Sequence, residues 1–317
     1  MKIGFLLSIV ICLLNIPLAA QKADTIPRQQ EYFSFTYGND FFNATDRYYT
    51  QGIRLELALS FMKKSPVSKL LIPLQKAAFR QYAIALEQDC FTPPGISRDT
   101  IQTRERPYAG LLYLSHSLSS IQLQKSQKLF TQLTIGVIGP CAKCKEMQEG
   151  IHRWLDNIPP RGWKFQVAND VILNYEVQFE KGIWWKKHLE LVGYTGARIG
   201  TLYDDATIGA FLRFGFFKPY FGNQIEVKQS KFQVHGFLNG NIKAVVYNAT
   251  LQGGLFNPND IYILSANRIR RVVAAGSAGI VFSYNKVNLE FTRLFLSPDF
   301  KGGLSHGWGH INMRVDF

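Results

Sequence analysis

Residues 49–61 read YTQGIRLELALSF. Successive side chains of an extended strand point to opposite faces, so Ile53, Leu55, Leu57, Leu59 and Phe61 share one side while Gly52, Arg54, Glu56, Ala58 and Ser60 share the other. An apolar face backed by one carrying Arg and Glu suits a barrel strand with hydrocarbon outside and water inside. The final residues repeat the design: Ile311, Met313, Val315 and Phe317 alternate with His310, Asn312, Arg314 and Asp316. A soluble β-sandwich can also finish on an amphipathic strand, so the rest of the chain has to separate the two readings.

Working outward, Lys2, the apolar run Ile3 to Leu14 and the small pair Ala19-Ala20 read as a secretory signal peptide over residues 1–20, leaving 21–317 as one domain. After residue 20 no uninterrupted apolar stretch reaches the ~18 residues of a spanning helix. The chain nevertheless holds 24 Phe, 14 Tyr and 5 Trp, the aromatic supply that a membrane barrel uses for its interfacial girdles. Alternation also accounts for a mean hydropathy of -0.05, since outward and inward residues average out. Ending on Phe317 resembles the terminal aromatic signal of bacterial outer-membrane barrels. The formal charge of +13 suits an anionic partner such as a phosphorylated glycolipid or a membrane surface, and nucleic acid is not expected outside the cell.

The same pattern predicts strands at 31–37, 49–61, 80–88, 107–119, 128–138, 166–180, 187–199, 206–217, 231–249, 271–284, 287–296 and 308–317, with a possible break at Asn239-Gly240. About twelve strands make an all-β, antiparallel transmembrane barrel. If the N-terminus starts on the periplasmic side, connections 38–48, 89–106 and 139–165 are extracellular. Connection 62–79 is long for a periplasmic turn and reads as an amphipathic segment at the membrane surface.

Those three extracellular connections carry the densest polar signals. The first offers Asn39, Asp40 and Asp46, although Asn-Asp is also ordinary turn chemistry. The second ends in RERPYAG, with Arg104, Arg106 and Tyr108, and the third holds Gln148, His152, Trp154 and Trp163. Lys145 to Leu155 reads as a short helix stopped by Pro159-Pro160, which puts Gln148 and His152 at i and i+4 on one face. A histidine so placed can act as a general base near neutral pH, with an aspartate to hold a hard cation; taken alone it is a surface histidine. Ser115 and His116 form a compact Ser-His pair, but strand alternation turns them to opposite faces. In an exported loop, Cys141 and Cys144 are expected to close a small disulfide, with Cys90 as the alternative partner of either.

These motifs, in this order, resemble the outer-membrane lipid A 3'-O-deacylase (LpxR) family. Its pattern runs N-D, T-D-R-x-Y-T-x-G, R-P-Y-A-G, G-P, Q-x-x-x-H and G-W, matched here by Asn39-Asp40, Thr45 to Gly52, Arg106 to Gly110, Gly139-Pro140, Gln148 to His152 and Gly162-Trp163. The Cys141 to Cys144 insertion departs from it. The resemblance implies a twelve-stranded barrel, monomeric in the outer membrane, that removes the 3'-acyloxyacyl group of lipid A in lipopolysaccharide using Ca²⁺. In that reading His152 is the base, Asp40 a Ca²⁺ ligand, Asn39 a donor to the water or oxyanion, and Arg106, Thr50 and Gln148 contact substrate. A binding or transport barrel without catalysis, and a phospholipase-like esterase, are the alternatives.

Overall fold

Twelve strands close into one antiparallel barrel, β1 pairing with β12 to complete the ring. They are β1 (Tyr32–Asn39), β2 (Tyr48–Ala58), β3 (Phe79–Thr92), β4 (Ala109–Gln122), β5 (Gln127–Ile138), β6 (Asp170–Lys186), β7 (Leu189–Gly200), β8 (Tyr203–Phe216), β9 (Phe232–Asn248), β10 (Val272–Tyr284), β11 (Val287–Leu296) and β12 (His306–Asp316). The computed structural model describes residues 30–317 apart from 44–46, 78, 222–230, 258–259 and 261, so the expected signal peptide, Thr45 and Asp46 lie outside the described residues. No described helix is long and apolar enough to cross a membrane. Each expected strand coincides with an observed one, and β9 runs unbroken through Asn239-Gly240.

Alternation sorts the residues as the sequence suggests. Phe33, Leu55, Leu86, Leu114 and Ile135 are exposed on the outer wall. Inside, Arg54 bridges Glu56 and Glu87 at 2.5 Å each, Lys128 pairs with Glu180 at 3.2 Å, and Arg213 with Glu190 at 2.8 Å. Short turns at 123–126, 187–188 and 285–286 mark one rim, which also carries the chain's C-terminus and the β2–β3 and β8–β9 connections; the β1–β2, β3–β4, β5–β6, β9–β10 and β11–β12 connections gather at the other, the long-loop rim. The lumen holds a chamber of about 1350 Å³ toward the short-turn rim and one of about 280 Å³ toward the long-loop rim, both lined by Tyr49 and Asp89. Asp89 is clamped there by the hydroxyls of Tyr49 (3.0 Å) and Tyr113 (2.9 Å). Above it Tyr48, Leu251, Leu264, Ile269 and Phe300 pack into a core that fills the long-loop end.

Two stretches differ from expectation. Strand β2 stops at Ala58, not Phe61, because the Glu31 carboxylate accepts from both Ser60 N (2.8 Å) and Ser60 Oγ (2.6 Å), and the chain turns into 3-10 helix over Ser60–Lys64 and again over Pro66–Leu70. The segment that follows is laid against the outer wall of β3 to β6. Met62 and Leu71 bury against Tyr82 and Leu118, which face outward. Its backbone also meets outward polar groups: Leu74 N donates to Ser120 Oγ (2.8 Å), Thr131 Oγ1 to Ile72 O (3.3 Å), and Tyr175 Oη donates to Leu70 O (2.9 Å) while accepting from Ile72 N (3.2 Å). His116 donates through Nδ1 to Ala83 O (3.0 Å), and its Nε2 lies 2.7 Å from Ser68 Oγ, whose hydroxyl donates to Met62 O (2.7 Å). The segment thus covers a polar patch on an otherwise apolar wall, while Phe61, Leu70 and Ile72 remain exposed.

Because two hydrogen bonds to this segment pass through one hydroxyl, Tyr175→Phe is expected to lower stability by about 1–2 kcal/mol. The urea midpoint of the barrel's heat-modifiable band on gels measures this. An unchanged midpoint would mean that the segment is not anchored there.

Candidate functional site

One row of paired residues crosses four strands: Asn39 faces Gln51, Gln51 faces Cys90, and Cys90 faces Gly110. Their neighbours Gly38, Gly52 and Asp89 line the lumen, so the row looks outward. With strands about 4.8 Å apart, Asn39 and Cys90 stand roughly 10 Å from each other along the wall. Cys90 is bonded to Cys144, the first residue of helix α1 (Cys144–Trp154), with 5.7 Å between their Cα atoms. The expected Cys141–Cys144 loop is therefore corrected: Cys90 points out of the wall at the place where α1 begins, and Cys141 is left free and exposed.

The seat of α1 explains several motif residues at once. A Cβ at Gly110 would lie 3.0 Å from Cys144 Cβ and 3.1 Å from its Sγ, so the glycine admits the helix to the wall of β3 and β4. At Gly162 a Cβ would fall 2.3–2.7 Å from the Tyr108 ring, which packs on Trp163 with centroids 5.0 Å apart. Trp163 is fully buried and donates through Nε1 to Gln148 Oε1 at 2.7 Å. That fixes the amide orientation and leaves Gln148 Nε2 buried without a partner. One turn on, His152 is 9 % exposed, and its Nδ1 donates to Ile158 O at 2.6 Å. A neutral imidazole held this way carries its lone pair on Nε2.

On the wall, Asn39 Oδ1 accepts from Phe41 N (2.8 Å) and its Nδ2 donates to Tyr37 Oη (3.0 Å), leaving the second Nδ2 proton available. Asp40 sits in the 3-10 turn after β1, buried, with Oδ2 accepting from Arg47 N at 2.7 Å. Thr50, at the β2 bulge, lies 2.5 Å from Thr92 through their hydroxyls, both buried. The structure therefore brings Gln148 and His152 together on α1 and sets Asn39 and Thr50 on the wall strands beside the helix anchor.

Arg106 does not join them. It is turned into the long-loop end of the lumen, where it pairs with Asp299 at 2.5 Å, donates to Thr250 Oγ1 at 3.1 Å and lies over the Phe91 ring. Its place is a plug contact, set by strand β4 starting only at Ala109. Ser115 is buried on the inward face while His116 engages Ser68 on the outward one, so that pair makes no dyad. Two wall residues were given no role by the sequence: Gln51, fully buried beside Cys90 (Nε2 to Sγ 3.9 Å), and Thr92. For Gln51 the signal was its phase, opposite to Arg54.

Comparison with known proteins agrees with this architecture. A family model described as "Outer membrane protein LpxR" matches residues 5–317. The chain belongs to the LpxR family. It is an outer-membrane β-barrel. Its fold is similar to that of LpxR from Salmonella typhimurium, at 18 % identity and a TM-score of 0.70, covering 90 % of this chain and 100 % of that one. Weaker likenesses include the KdgM porin (4 % identity, 90 % and 99 % covered, TM-score 0.41) and the β domain of the Bordetella autotransporter BrkA (9 %, 92 % and 100 %, 0.44). No curated protein sequence matches the chain.

In this LpxR-family barrel the pairing of the helix anchor is directly measurable. Peptide mapping without reduction is expected to recover a Cys90–Cys144 linked peptide and an alkylated Cys141. A linked Cys141–Cys144 peptide would contradict the seat described for α1.

Proposed function

We propose that this chain is a lipid A 3'-O-deacylase that works from the outer wall of its barrel. The observation that carries the reading is His152 itself: nearly buried between helix and wall, pinned through Nδ1 to Ile158 O, with Nε2 free to take a proton. Trp154 and Leu155, 62 % and 58 % exposed, continue from the same helix, and Ile158 is likewise exposed. An apolar lip beside a polar base suits an ester whose acyl chains stay in hydrocarbon. The lumen, filled at its long-loop end, favours this reading over transport. With the long-loop rim extracellular and the protein monomeric, His152 and this apolar lip lie at the level of the outer leaflet, where lipopolysaccharide resides.

In the reaction, His152 Nε2 removes a proton from water as its oxygen adds to the 3'-linked ester carbonyl. The Gln148 Nε2 amide and the second Nδ2 proton of Asn39 are the available donors to the developing oxyanion. Collapse breaks the C–O bond, the imidazolium returns its proton to the sugar oxygen, and the acyloxyacyl group leaves as a carboxylic acid. No serine nucleophile is needed. Among the described residues no three His, Cys, Asp or Glu side chains converge, so a cation here would be held by one carboxylate with neutral oxygens. Asp40, together with Thr50 Oγ1 and main-chain carbonyls, would supply the all-oxygen donor set that a hard ion such as Ca²⁺ accepts. When bound, that ion would polarise the ester carbonyl. Arg106, engaged in the lumen, is left out of substrate recognition.

Incubating purified protein with defined lipid A and weighing the products tests the proposal. His152→Ala is expected to lower turnover by about 10²-fold or more at any calcium level, with the barrel still folded. Asp40→Ala should lose activity that high calcium partly restores, and a strong chelator should silence the wild type. Full activity in His152→Ala, or indifference to the chelator, would remove the mechanism.

A further inference from the structure

At the long-loop rim the connection between β9 and β10 meets the one between β11 and β12 and extends the wall by a short ladder. Ile269 bridges Phe300, Arg270 N donates to Asp299 O (2.9 Å), and Lys301 N donates to Arg268 O (2.7 Å). Ile269 and Phe300 are buried in the core below. Alternation along an extended chain then turns Arg270 and Lys301 outward, and both are exposed. Between them lies a groove of about 440 Å³, lined also by Asn267, Arg271 and Val272. Arg271 forms its wall, its guanidinium donating to the carbonyls of Val246 and Ala266. No carboxylate lines the groove, and among the described residues none lies in ion-pair reach of Arg270 or Lys301. Three cations held by backbone pairing, without a counter-charge, make a site for an anion.

Its surroundings narrow the ligand. Val272 and Val246, each 67 % exposed, carry the outward apolar face of β10 and β9 up to the groove, so an anion there sits directly above a wall made for acyl chains. We propose that this groove binds the phosphate of a glycolipid in the outer leaflet, as a second site separate from that around His152. Five strand steps lie between β10 and β3 in the ring, about 24 Å round the wall at roughly 4.8 Å per step. That is too far for the reacting molecule to fill both, so the groove holds a neighbouring glycolipid. The assignment rests on the proposed orientation, in which this rim faces outward.

Native mass spectrometry of the full chain in detergent tests it, with bisphosphorylated lipid A, a phosphate-free analogue and inorganic phosphate as probes. His152→Ala, which prevents turnover, is expected to hold two molecules of the bisphosphorylated lipid and one of the analogue. Adding Arg270→Gln and Lys301→Gln should weaken the second binding event at least about tenfold, while the same two changes with His152 intact keep deacylation within about twofold. Heat-modified gel mobility confirms folding. Two lipids retained by the Arg270→Gln/Lys301→Gln protein, or two copies of the analogue bound, would overturn the proposal. Displacement of the second lipid by an equal concentration of inorganic phosphate would also overturn it, by reducing the groove to a free-phosphate site. If wild type cleaves no lipid A yet the second event still depends on Arg270 and Lys301, the hydrolase reading falls and the groove stands.

Discussion

Closure of β1 onto β12 is the constraint on which everything else depends. Once the ring is shut, each strand has one inner and one outer face, and a shift of one residue would exchange them along its whole length. The register that puts Arg54, Glu87 and Asp89 inside also puts Gln51, Cys90 and Gly110 outside. The candidate site is a consequence of that phase: helix α1 can be bonded to the wall only where an outward cysteine meets an outward glycine. A lumen occupied by ion pairs, tyrosines and loop residues leaves the outer surface as the place where a buried histidine can meet a lipid.

What holds the helix there is a small set of strong restraints. In a chain-entropy description, a cross-link between residues 54 apart in sequence contributes about 4 kcal/mol against the unfolded chain. The buried Trp163 to Gln148 hydrogen bond costs more to break than it contributes when made, because either partner alone would be buried unsatisfied. His152 is held through a main-chain carbonyl, so its orientation follows from the path of the loop after α1 and needs no second titrating group. Rigid mounting on a β-wall keeps His152, the Gln148 and Asn39 amides and the wall residues in fixed relation, which the proposed chemistry would require for transition-state stabilisation.

The period-two pattern made the barrel legible, since Ile53 to Leu59 and Ile311 to Phe317 each show their facing without further information. The pairing of Gln148 with His152 was legible for the same kind of reason, being one turn of a helix bounded by prolines. Other features depended on partners distant in sequence. Nothing near Ser60 announces that Glu31 will take its backbone and side chain and end β2 early. Arg106 belongs to the loop motif that builds the helix seat through Tyr108 and Gly110, yet its own side chain goes inward to Asp299, 193 residues away. Sequence proximity favoured Cys141 for Cys144, whereas the cross-strand row supplied Cys90. Residues 62–79 read as amphipathic, but the outward polar groups they cover on β4 to β6 emerge only when the barrel closes.

The proposed mechanism puts lipid chemistry on the wall side of α1 and not in the lumen. The most direct measurement is photo-crosslinking in native outer membranes, with a photoreactive residue substituted at Leu155 on the exposed lip or at Tyr203 in the lumen. A glycolipid adduct is expected from Leu155 and none from Tyr203. An adduct formed at Tyr203, with Leu155 silent, would contradict it.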